Sequence, residues 1–224
     1  MNVSGKLSTT ILAVSLLAFG GWTPPAQAGA PAVTLDTFTP GLSVNSLAQL
    51  KLREQNGGKT LHGTVAWDGS ELIANVRVDK KRIKSALLKG NQENGLIGMF
   101  ISEMSERNMV PSLLVSDSLK VNFLYEAAEK GKHADYCREY TVEVMGTWAG
   151  DGKNLLMVLF LPEKVFRSAG AALKASADAR LQDILKPYGK DKVYALTLTR
   201  EDDRLAFFIG DLENSEEYLK RWGK

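Results

Sequence analysis

The chain has 224 residues, with 28 Lys and Arg against 26 Asp and Glu and a formal net charge of +2. At 44% hydrophobic and 24% charged residues it has the composition of a globular protein, which excludes a disordered chain or a collagen. One Cys and two His exclude an internal disulfide and a Cys-rich or His-rich metal centre, and so weak a net charge does not point to nucleic acid.

The first 28 residues read as a secretory leader. Lys6 is their only charge, residues 11–19 are an apolar run, and Gly20, Gly21, Pro24 and Pro25 break any helix beyond it. Ala26, Gln27 and Ala28 then make an A-x-A cleavage site. Nine helical residues are too short to cross a hydrocarbon core of ~30 Å. Cleavage near Ala28 predicts a periplasmic or secreted location for residues 29–224. Export without disulfides suits a periplasm, where the core alone must stabilise the chain.

Residues 29–46, rich in Pro, Thr, Ser and Gly, predict an extended lead-in to one domain over 47–224, with a possible subdivision near 127–138. A three-strand meander follows the lead-in, turning at Asn56, Gly57 and Gly58 and again at Asp68 and Gly69. Alternation gathers Leu61, Val65, Trp67, Leu72, Ala74 and Val76 on one face and turns Arg53, His62, Thr64, Asn75 and Arg77 away. Asp79 predicts the cap of a helix over 80–89, and a second helix is expected over about 95–108. Strands are expected over 118–126 and, from the alternation of Val142, Val144, Gly146 and Trp148, over 142–148. The apolar run 155–161 predicts a strand covered on both sides. A long helix over 163–186, a hairpin of 193–199 with 204–210, and a short helix over about 214–222 complete the chain.

This order predicts an α+β fold, an antiparallel β-meander and hairpins with helices packed on one face. It suggests three hairpin-then-helix units, 60–109, 140–186 and 192–222. The strict strand–helix alternation of a doubly wound nucleotide-binding fold is missing.

Few residues carry a chemical signal. Cys137 has one imidazole near in sequence, His133, four residues away and on the same face if the segment is helical. The pair is a weak candidate for a nucleophile and its base, since a small buried thiol is the commoner role. His133, Asp135 and Cys137 lack a convincing fourth ligand, so no metal site is assigned. Glu139 and Glu143 share one side of an expected strand without marking a cleft. The serine-hydrolase elbow and the phosphate loop are both absent.

The one positive hint is a run of cations. Arg77, Lys80, Lys81, Arg82, Lys84 and Lys89 stand within 13 positions, with Asp79 the sole acid among them. They are candidates to meet an anionic envelope surface or an acidic protein partner, against the plainer reading of a solvated face. The segment lacks the interleaved aromatics of a single-strand nucleic-acid site. The sequence therefore favours an exported, cofactor-free, non-enzymatic binding or accessory protein of the cell envelope. Its rival is a cofactor-free envelope hydrolase using Cys137 and His133 or dispersed carboxylates.

Overall fold

The computed structural model describes residues 29–148, 154–176, 180–199 and 203–215. The expected leader over 1–28, the turn at 150–153, the turn residues 201 and 202 and most of the expected C-terminal helix lie outside these residues.

Two 3-10 turns, Leu35–Phe38 and Val44–Leu50, precede the meander β1 (Arg53–Gln55), β2 (Thr60–Trp67), β3 (Ser70–Asp79) and β4 (Arg82–Asn91). Helix α1 (Asn94–Glu106) leads to β5 (Met109–Ser116), β6 (Lys120–Asn122), α2 (Phe123–Lys130) and α3 (Ala134–Trp148). Strand β7 (Leu155–Pro162), helices α4 (Glu163–Ala175) and α5 (Leu181–Leu185), and the hairpin β8 (Lys192–Thr199) and β9 (Arg204–Asp211) follow. All nine strands lie in one sheet, in the order β1-β2-β3-β4-β9-β8-β7-β5-β6, and every neighbouring pair is antiparallel. The fold is α+β, as the strand runs punctuated by helices imply. The last hairpin in sequence sits at the centre of the sheet, between the meander and β7.

Strand β7 is buried over residues 156–161. Its side chains alternate between two covered faces, which is why the run shows no polar positions. On one face, Phe160 meets Phe100 of α1 edge to face at 5.8 Å. Phe100 also stacks on Phe207 at 4.6 Å, and Trp67 stands edge-on to Phe207 at 5.1 Å. These rings tie β2, α1, β7 and β9 into one core, in the offset and T-shaped arrangements that the ring quadrupole favours. Helices α2, α3 and α4 pack as a group over β5 and β7. In α4, Val165, Phe166, Ala169 and Leu173 are the buried stripe, as their spacing predicts.

Several elements differ from the sequence expectation. Residues 80–89 are not a helix: Lys80 and Lys81 form a two-residue turn, flanked by the pair Asp79 and Arg82, and the chain returns as β4. Tertiary pairing between β3 and β9 overrides the helical spacing of Ile83, Leu87 and Leu88. The expected strand over 118–126 stops at Asn122, whose side chain accepts a hydrogen bond from the Leu124 amide and caps α2. The expected strand over 142–148 is the second half of α3, which buries Ala134, Cys137, Thr141 and Trp148. The unit expected over 140–186 is accordingly helix, strand, helix. The long helix expected over 163–186 is broken, α4 ending at Ala175 and α5 starting at Leu181. Residues 29–46, expected to be extended, include the turn that buries Leu35 and Phe38 completely.

Candidate functional site

The basic segment becomes the tip of the β3–β4 hairpin. Lys80 has φ 48° and Lys81 φ 61°, so two successive side-chain-bearing residues take left-handed backbone. This is the twist a two-residue hairpin loop needs, and Asn or Asp followed by Gly fills it at least cost. The β2–β3 turn does so with Asp68 at φ 46° and Gly69 at φ 82°. At the β3–β4 turn the same geometry is held by lysines, at about 1 kcal/mol for each residue forced into this region.

The tip is braced from the N-terminal side. The Val44 amide donates to the Lys81 carbonyl at 3.0 Å, the Ile83 amide to the Leu42 carbonyl at 2.9 Å, and the Gly41 amide to the Ile83 carbonyl at 2.8 Å. Arg82 Nη1 donates to the Gly41 carbonyl at 2.7 Å. Lys84 is the extra residue of a β-bulge, since Arg77 pairs with Ser85 and Val78 with Ile83. Its ammonium lies 3.7 Å from Asp79. Arg77, Lys80 and Lys81 are exposed and, among the described residues, their side chains have no hydrogen-bond or ion-pair partner. The cations thus divide into two groups. Arg82 and Lys84 hold the hairpin, while Lys80 and Lys81 project from it.

Two neighbours of the tip escaped the sequence reading. The Val78 amide donates to the Lys59 carbonyl at 2.9 Å, which brings the exposed Lys59 alongside. Leu42, paired beside the turn, is 40% exposed, one of few large apolar side chains left open to solvent. Leu42 and Ile83 are far apart in sequence, so no local pattern announces their contact.

The Cys137 and His133 pair is not arranged as nucleophile and base. His133 immediately precedes α3 and Cys137 lies in its first turn, but the thiol is fully buried and donates to the backbone carbonyl of His133 at 3.4 Å, whereas the His133 side chain is exposed. Burial pushes the thiol up to about 12. A reactive cysteine needs an electropositive, accessible setting that lowers its pKa, the reverse of this one. Asp135 is exposed and pairs with Arg138 at 2.7 Å. Glu139 and Glu143 are successive-turn neighbours on the exposed side of α3, not of a strand.

No family model, curated protein or solved structure matches the chain. Among the described residues no helix is long and apolar enough to cross a membrane.

Proposed function

We propose that this is an exported, non-enzymatic accessory protein of the cell envelope that docks on an anionic lipid surface through its β3–β4 hairpin. The observation that carries the reading is the turn itself. Two lysines occupy left-handed positions that Asn and Gly fill more cheaply. Local strain retained at a point of no packing value is the mark of a functional constraint. The exposed Leu42 beside the turn favours a lipid surface over an acidic protein, because interfacial binding joins an apolar insertion to a basic rim. Export is supported by the leader-like pattern of residues 1–28.

The test replaces the turn without damaging it. Lys80→Asn with Lys81→Gly removes both charges and installs the preferred turn. Each Lys near an anionic surface contributes about 1 kcal/mol, so binding to anionic vesicles weakens roughly 30-fold at low salt. Leu42→Ser weakens it further, and binding to neutral vesicles stays low throughout. Sedimentation that is equal for wild type and variant at every ionic strength rejects the docking role. N-terminal sequencing of protein recovered from the envelope checks the export half: the first residue is expected at Gly29 or Pro31, and a chain still starting at Met1 rejects it.

A further inference from the structure

A second site lies at the edge of β2, away from the hairpin turn. Strand β1 pairs with β2 only as far as Arg53 opposite His62, and residues 31–33 take over at Ala66. Between them Gly63 and Thr64 face a groove of about 560 Å³. A Cβ on Gly63 would lie 2.8 Å from Leu52 Cδ2, so the glycine lets Leu52 close against the strand. The groove walls are residues 29–31, of which Pro31 is common to both expected mature forms, on one side and the end of the Val44–Leu50 turn, with Lys51 and Arg53, on the other.

The lining contains two cations, Lys51 and Arg53, and one imidazole, His62, and no carboxylate. Among the described residues, neither Lys51 nor Arg53 has a side-chain hydrogen bond or ion pair. Arg107 and Arg138, by contrast, are each held by two carboxylates. His62 is pinned in place: its Nδ1 lies 2.8 Å from Asn75 Oδ1 on the adjacent strand. The amide oxygen is an acceptor, so Nδ1 carries the proton and Nε2 is the ring atom left for a ligand. Glu71 stands at the opposite rim, with Oε1 4.0 Å from the place a Cβ on Gly29 would take. That carboxylate repels an anion toward the Lys51, Arg53 and His62 end.

We infer that this groove binds a small molecule through a phosphate or carboxylate group, with Arg53 as the forked donor, Lys51 as the point charge and His62 Nε2 as the orienting contact. Arg presents two parallel N–H groups that match an oxyanion, and Lys adds charge without geometry. Nε2 meets a P–OH or hydroxyl of the same molecule. The volume falls in the range of small-molecule sites and leaves room beyond the anion. This site is independent of the docking hairpin, and its readout is different.

The chain has two histidines, so the imidazole NMR signals supply both probe and control. The purified protein is titrated with inorganic phosphate and, separately, with citrate, at ionic strength matched with chloride. A saturable shift of the His62 signals, with His133 unmoved, is expected for at least one of the two, and which one names the anion. Arg53→Gln weakens that binding roughly tenfold or more, the loss expected for a charge-assisted hydrogen bond. Arg77→Gln, an exposed cation outside the groove, leaves it unchanged. Equal shifts at both histidines, no shift with either anion, or an Arg53→Gln variant that binds as well as wild type overturns the assignment. Vesicle binding is unaffected by Arg53→Gln, which separates failure here from failure of the docking reading.

Discussion

Arg107 clasps Asp36 at two points, Nη1 to Oδ1 at 2.8 Å and Nη2 to Oδ2 at 3.0 Å. Lys192 adds a contact to Oδ1 at 3.1 Å, and Arg107 lies 5.8 Å from the centre of the Tyr194 ring. The cluster fastens the first 3-10 turn to the end of α1 and to β8. The Arg107 hydrogen bonds hold the Asp36 carboxyl down at about 2. A depressed carboxyl stabilises the fold above its unfolded value and ceases to do so as pH falls through the folded one. Asp36 is more than half exposed, so solvent screening keeps its contribution near that of a good surface pair. Asp36→Asn is expected to cost about 1 kcal/mol at neutral pH. The difference from wild type should close between about pH 4 and pH 2, as read by chemical denaturation at each pH.

The docking turn carries a stability prediction of its own. Replacing Lys80 by Asn and Lys81 by Gly relieves left-handed strain and loosens the unfolded chain slightly. The net gain should be about 0.5–1 kcal/mol. For a chain of this size that is a rise in Tm of roughly 1–4 °C. A variant that melts lower than wild type contradicts the strain on which the docking proposal rests.

The double-faced burial of β7 sets the cost of emptying the core. Leu159 is fully buried and Leu173 of α4 is nearly so. Truncation of either to Ala should destabilise by about 2–5 kcal/mol, the transfer term plus the cavity left behind. A urea midpoint unmoved by both substitutions rules out this packing.

Cys137 should behave as an inert thiol. With its pKa raised to about 12 by burial, it stays protonated at pH 8 and out of reach of solvent reagents. Labelling by a disulfide reagent is expected to be slow in the native protein and fast in denaturant. Cys137→Ala should leave vesicle binding and the His62 anion response intact. Fast native labelling would restore the thiol as a candidate nucleophile.

The strands and helices that the sequence discloses are those with an undisturbed period. The β2–β3 hairpin shows strict alternation around Asp68 and Gly69, and α4 shows a clean apolar stripe. Strand β4 is hidden by its own bulge. The extra residue at Lys84 puts Ile83 on the same face as Ala86 and Leu88, an odd spacing that imitates a helix. Helix α3 is hidden by its composition. Its inner stripe is Ala134, Cys137, Thr141 and Trp148, mostly small or polar, while Val142 is 55% exposed. The cationic run is plain in the sequence. Its division into bracing and projecting residues is not, because that depends on Gly41, Leu42 and Val44, some 40 positions upstream.

The centre of the sheet is supplied by β8 and β9, the last strands among the described residues. Ala86 of β4 pairs with Ile209 of β9, so the meander has no inner neighbour until that much later strand has been made. At roughly 5–20 residues per second, β4 waits roughly 6–25 s on the ribosome for the strand that completes it. Contacts of such long sequence separation also form slowly once the whole chain is available. Closure of the sheet is thereby postponed until β9 has been made, because no earlier strand can take its place beside β4.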